Sequence, residues 1–578
     1  MSAKWSLHKS SRKELPSIKA EIWLQDPLVA AENPRIGLKT IELKGESGLG
    51  PGPTSARVSV VDYSADNDVV YEPAAPKKDC TGFVVGRTTR IRNFKHHQVN
   101  VWALITRTLN FLEGDRVFGR RIPWAFPGGR LLVMPHAGYW ENAFYDRETG
   151  GLHFFYFEDI ETGETVYTCL SHDIVTHELG HAVLDGLKPY YNEITSPATA
   201  GFHEFFGDAV AMHSSLTLRE VVVAAVGRNY KGLKDGNFIN RIAAQFGAAV
   251  YGRADRSYLR SALTTKTMAD IKGVFEEHEY SEVMTGAYYD YLLKAYERFV
   301  PITLAKLKKK NPDKKMDGGI AVASLIKAAE LTGRLFLRAI DYCPPVDIDF
   351  AEYARAVVAS DRVAYPVDKH DFREDLYTVF RNRGIVSSRA DLEPTYKFYN
   401  SDLRDYDIDA VAASTTDAYS FVDANREVLD IPRTANFEIT NLYRTRKTGP
   451  EQFRPPRETV IEFVWSVDVV ISGAEFAAVS GARMPLYCGG TLVFDQNGNL
   501  LHYCLKTETK LRKQALAEYV AYLNREGFVS LDKGEAGIGA AGRDSNRVIG
   551  RLQDGRLHMH RSSAFRHSGR EEGAAHGE

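Results

Sequence analysis

In the stretch HDIVTHELGHAVLDGL, from His172 to Leu187, two histidines stand four residues apart, His177 and His181, with Glu178 between them. The stretch carries a helical pattern, and on a helix positions i and i+4 share a face, so both imidazoles can meet at one point. A zinc ion about 2.0–2.1 Å from each nitrogen fits there, and the residue after the first histidine can reach a water on an open coordination position. Glu178 is that residue. With 17 histidines in the chain, the pattern could arise by composition alone, so its surroundings have to decide. The constraint on the fold is that this helix must meet a further ligand, because a catalytic zinc takes three protein ligands and leaves a position for water.

The segment GFHEFFGDAV supplies a candidate third ligand, Glu204, on what reads as a second amphipathic helix. Asp208 lies four residues beyond Glu204, and Asp185 lies four beyond His181. Metal-bound imidazoles hand their other N–H to a carboxylate or carbonyl, which fixes the tautomer, and Asp185 and Asp208 are spaced for that role. His172 and His203 crowd the same region and are read as non-ligands, since three ligands are already found.

HELGHAVLDG followed by HEFFGD resembles the HExxH…ExxxD arrangement of the thermolysin-like zinc metallopeptidases, the gluzincin type. Further segments agree. ENAFYD (141–146) resembles that family's Asn-Ala-Phe segment on the edge strand lining the cleft, which implies that Asn142 and the Ala143 backbone hold the substrate main chain. LRSAL (259–263) resembles its Leu-Arg-Ser segment, implying Arg260 as a donor to a substrate carbonyl. HEYSEVMTGAYYDYL (278–292) resembles a helix start that implies His278 as the transition-state stabiliser. The family's tyrosine near the oxyanion corresponds to Tyr190 or Tyr191.

The resemblance covers roughly 95–385 and implies an α+β fold: a mixed β-sheet N-lobe, a zinc helix and a helical C-lobe. It implies a zinc-dependent endopeptidase holding one zinc through His177, His181 and Glu204, with Glu178 as general base to a metal-activated water. The partner is then a peptide or protein substrate. Asp173 occupies a position where secreted members have a calcium ligand, but AMHSSLTL lacks the acidic partner expected after Glu204, which leaves calcium in question. Two other readings share the motif: an aminopeptidase-type zinc hydrolase, and a non-catalytic protein with a closed structural zinc site.

Around that unit the texture changes. Residues 1–90 read as a β-containing N-terminal region, 91–390 as the peptidase unit, 391–535 as an α+β C-terminal domain, and 536–578 as a disordered tail. The tail carries His558 and His560, read as solvated residues. The long apolar window from Val460 to Ala482 is interrupted by Glu462, Asp468 and Glu475, and its β-branched residues favour buried strand over membrane helix, so no membrane span is expected. A net charge of -2 offers no reason to expect nucleic acid as a partner. The five cysteines form no CxxC pair, so neither a disulfide framework nor a thiolate metal site is expected. The N-terminus lacks the apolar core of a secretory signal, which points to the cytoplasm or to export without a classical signal peptide. The oligomeric state has no signature in the sequence.

Overall fold

The computed structural model describes residues 15–46, 48–227, 233, 238–252, 258–449, 453–526, 529–531, 548–553 and 556–561. The fold is mixed α+β. It begins with an antiparallel hairpin of β1 (Ile18–Trp23) and β2 (Leu38–Leu43), in which Ile18, Ala20 and Ile22 point inward at the strand period of two. After β3 (Val58–Val60) comes helix α1 (Phe94–Leu112), started by Asn93, whose side chain accepts the His96 N–H.

Strands β4 (Leu131–Met134), β5 (Ala143–Asp146) and β6 (Gly151–Phe154) join β3 in a sheet of order β3-β4-β6-β5. The pairings β3–β4 and β4–β6 are parallel, whereas β5 runs antiparallel to β6 and forms an edge of the sheet. Of the residues before 90, β3 is an outer strand of the central sheet, and side chains from Ile18 to Phe83 share one core with the central helices.

The helical part follows. Helix α2 (His172–Leu187) spans the stretch predicted as a helix from its residue pattern; the Lys188 N–H closes it on Leu184 O, and Pro189 comes next. Helix α3 (Pro197–Leu216) opens with Ser196 accepting the Thr199 N–H and with proline at the first position, where a missing N–H costs nothing. Its residues from Thr199 to Leu216 are all buried, so it runs through the middle of the protein. Helix α4 (Glu277–Lys308) starts at Glu276, and α5 (Gly318–Arg338) ends before Cys343, Pro344 and Pro345, as the two prolines predict. A capping box between Asp349 and Glu352 starts α6 (Phe350–Ala364). Helices pack in series, α2 on α3, α3 on α4 and α4 on α5.

The C-terminal region is built on a seven-stranded sheet. Its members are β7 (Glu438–Thr445), β8 (Glu458–Val470), β9 (Arg483–Phe494), β10 (Leu500–Lys506), β11 (Val529–Leu531), β12 (Val548–Gln553) and β13 (Arg556–Arg561). The order is β7-β8-β9-β13-β12-β11, with β10 also paired to β9 across the turn predicted at Gln496–Gly498. Helix α7 (Lys510–Arg525) packs beside it. Along β8, Val460 faces the central core while Ile461, Phe463 and Trp465 face the core shared with residues 403–437. The first part of the apolar window, from Val460 to Val470, is thus strand, buried up to Trp465, and a short helix, Ala474–Val479, follows it.

One expectation needs correction. The low apolar content after residue 535 predicts a disordered tail, yet β12 and β13 lie within it, antiparallel to each other, with Leu557 and Met559 buried against the sheet. Two buried side chains at period two suffice when a preformed sheet receives them, and His558 stands on this strand. The other residues of 536–578, and the start up to residue 14, lie outside the described residues. Among the described residues no single helix is long and apolar enough to cross a membrane.

Candidate metal centre

His177 and His181 project from one face of α2 toward Glu204 of α3. One donor atom from each of the three lies within 4.8 Å of the others. The two Nε2 atoms are 3.0 Å apart, and the Glu204 carboxylate lies 3.4 Å from His177 Nε2 and 3.5 Å from His181 Nε2. His177 Nδ1 lies 3.0 Å from Asp208 Oδ1, an acceptor, so the neutral ring, the form a metal takes, keeps its proton on Nδ1 and turns Nε2 to the centre. Two imidazole nitrogens and a carboxylate converging on one point form the donor set that zinc takes.

The electrostatics agree with that geometry. Burial opposes charge on Glu204, but the facing imidazoles of His278, His181 and His177 outweigh it and hold its carboxyl well below the usual range. Burial likewise opposes protonation of His177, but Asp208 and Glu204 raise it to about 9. The pocket favours a positive charge beside these side chains.

Asp208, expected to orient an imidazole, does so for His177 and is itself held from two sides. Arg260 Nη2 donates to Asp208 Oδ1 at 2.9 Å, and Thr285 Oγ1 of α4 lies 3.3 Å from Oδ2. Arg260, expected to face the substrate, both braces Asp208 and lines the cleft. It arrives there through a short pairing of Arg241–Ile242 with Arg260–Ser261. Asp185 departs from expectation: rather than meeting His181, it accepts from Tyr145 Oη at 2.7 Å and Arg147 Nε at 2.9 Å. The physical reason is competition, because a guanidinium in the turn after β5 forms a stronger charge-assisted bond than an imidazole N–H. Asp185 thereby ties α2 to β5.

His278 reaches the centre from the first turn of α4, with Nε2 3.3 Å from Glu204 Oε2 and Nδ1 2.7 Å from Glu276 Oε1. Glu276 thus serves both as helix cap and as the partner that orients His278. An acidic residue two positions before a histidine at a helix start was the available sequence signal for it. Of the two tyrosines, neither hydroxyl is directed to the centre: Tyr190 donates to Glu438 of β7 at 2.9 Å, and the fully buried Tyr191 donates to Pro344 O at 2.7 Å. His172 bonds Ser214 Oγ at 3.0 Å, and the His203 ring stacks beside that of His181. Asp173 is buried, with Ser215 Oγ 3.4 Å from its Oδ1.

Next to the centre lies a small, partly open cleft. Glu178 and His177 form its polar wall together with Arg260, while Ile174, Ile242, Phe246 and Leu259 make it apolar. Ala143, the first residue of edge strand β5, lines it too. The preceding Asn142 is buried and takes the Ala143 N–H on its Oδ1 at 2.9 Å. A comparison with known protein families finds no family model that matches this chain, and no curated protein matches it either.

Proposed function

We propose that the chain is a zinc-dependent endopeptidase of the thermolysin-like type, cleaving peptides laid along β5. The observation that carries this reading is the convergence of His177, His181 and Glu204 beside a cleft that Glu178 and Ala143 also line. A structural zinc site would be closed by four protein ligands and would need neither a base nor a substrate edge. Bound to these three residues, a zinc ion supplies Lewis acidity and lowers the pKa of water to about 7.

The chain's own residues do the rest. An extended peptide adds to the open edge of β5, with Asn142 and the Ala143 backbone gripping its main chain. The apolar wall accepts a hydrophobic side chain next to the scissile bond. Glu178 takes a proton from the attacking water as the new C–O bond forms, then delivers it to the amine as the C–N bond breaks. His278, oriented by Glu276, donates its Nε2 proton to the developing oxyanion.

The test uses purified chain, amino-blocked and free peptides of mixed sequence, and a chelator. Blocked peptides should be cleaved internally beside hydrophobic residues, and the chelator should abolish this. Glu178→Gln should keep its metal while cleavage drops by about 10²–10⁴-fold, the usual weight of a general base. Cleavage only at free amino termini would instead favour an aminopeptidase, and undiminished activity in Glu178→Gln would refute the assigned base.

A further inference from the structure

Away from this centre, a second group of donors meets inside the protein: His97 of α1, His136 just after β4, and Cys169 in the turn before α2. All three are fully buried, and one ligand atom from each lies within 4.8 Å of the other two. The hydrogen bonds fix which ring nitrogens carry protons. His97 Nε2 faces two backbone carbonyls, Arg90 O at 3.1 Å and Ile91 O at 3.0 Å, and carbonyls only accept. Its proton is therefore on Nε2, and Nδ1 carries the lone pair. His136 Nδ1 faces both oxygens of Asp62, at 2.8 and 3.0 Å, and Gln98 Nε2 donates to the same carboxylate at 2.8 Å. The His136 proton is thus on Nδ1, toward Asp62, and Nε2 carries the second lone pair.

Those two nitrogens, His97 Nδ1 and His136 Nε2, stand 2.8 Å apart. Two neutral imidazoles in these tautomers would point lone pairs at each other, which is repulsive unless a cation lies between or beside them. Each ring hands its outward N–H to a carboxylate or to carbonyls, the arrangement that orients metal-bound histidines elsewhere. The rings are also clamped: Phe94 stacks on His136 with centroids 4.0 Å apart, and Tyr167 meets His97 edge-on at 4.9 Å.

We infer that His97, His136 and Cys169 form a second metal site, taking a thiophilic transition-metal cation of the zinc class. Two imidazoles and a thiolate are soft to borderline donors, which select zinc or copper over magnesium or calcium. Tetrahedral zinc at the usual bond lengths separates its nitrogen ligands by about 3.3 Å, so the two rings need part by only about half an ångström. The site would join α1, the segment after β4 and the turn that leads into α2, with three donors among the described residues and a fourth position for a further ligand. This inference stands independently of the peptidase reading, because it shares no ligand with the first centre. The cysteine count gave no hint of it, since its three donors come from distant segments.

The test is metal analysis and cobalt(II) substitution of the full-length chain. The unmutated protein should hold two metal equivalents, and the cobalt form should absorb in the near ultraviolet through thiolate-to-cobalt charge transfer. Cys169→Ser should drop to one equivalent and lose that absorption, while a His177→Ala, His181→Ala double variant should drop to one equivalent and keep it. No thiolate–cobalt absorption in the unmutated protein, a reading that requires no variant, would overturn the inference and leave a shared proton between the rings. Unaltered absorption in Cys169→Ser would overturn it as well. A double variant that keeps both equivalents would instead count against the first centre alone.

Discussion

Gly180 and Gly207 touch where α2 crosses α3: a Cβ built on Gly180 would come within 2.8 Å of the Gly207 Cα. Gly180 sits between the two histidines of α2, and Gly207 sits between Glu204 and Asp208. The absence of side chains at this crossing lets two helix backbones approach closely enough for His177 and His181 on one to meet Glu204 and Asp208 on the other.

Gly207→Ala should accordingly disturb the metal centre. Its Cβ would stand 2.8 Å from both Cε1 and Nδ1 of His177, so the buried ring has to shift. Overpacking of this kind costs roughly 1–3 kcal/mol. The expected result is a lower melting temperature together with weaker zinc retention on dialysis, because the ring must turn away from Asp208. Full retention at parental stability would mean the crossing is looser than described.

His278→Phe removes the donor facing Glu204 while leaving the three proposed ligands in place. Loss of one such donor costs about 10²–10³ in kcat. Metal content should be unchanged and kcat should carry the effect, with KM little altered. A variant as fast as its parent would remove His278 from the reaction.

Lys188, at the end of α2, is buried with Glu462 of β8 and also donates to Cys343 O at 2.8 Å. Asn441 completes the arrangement by donating to the other Glu462 oxygen at 2.7 Å. Breaking a buried pair by removing one partner leaves an uncompensated charge and costs roughly 3–5 kcal/mol. Lys188→Met should therefore destabilise strongly, and adding Glu462→Gln should recover part of the loss. Denaturant melts of the two single variants and the double would read the coupling directly; simple additivity would disprove it.

Asp173 predicts a pH effect. Burial, followed by the neighbouring Asp26 carboxylate, pushes its carboxyl up to about 8. The folded state thus holds this proton more tightly than the unfolded chain, where the pKa is about 3.9. Its contribution to stability is full below the unfolded value and is lost as pH rises through about 8. Asp173→Asn stays neutral throughout, so its melting temperature should fall less between pH 5 and pH 8 than that of the parent. Calcium titration in the same assay examines the alternative: a calcium-dependent rise seen only in the parent would make Asp173 a ligand.

What the sequence determined by itself is local and periodic. The α2 helix, with His177 and His181 on one face, follows from a repeat of 3.6 residues, and the run at Val460 follows from β-branched residues bounded by turns. The helix stop at two prolines follows from a missing donor. Tertiary structure alone decided the partners. Asp185 turned to Arg147 rather than to His181, Arg260 came to brace Asp208, the tail found a sheet edge, and Cys169 met two histidines from other segments. Each of these joins residues far apart in the chain, and no periodicity encodes which distant side chain will offer the strongest bond once water is excluded.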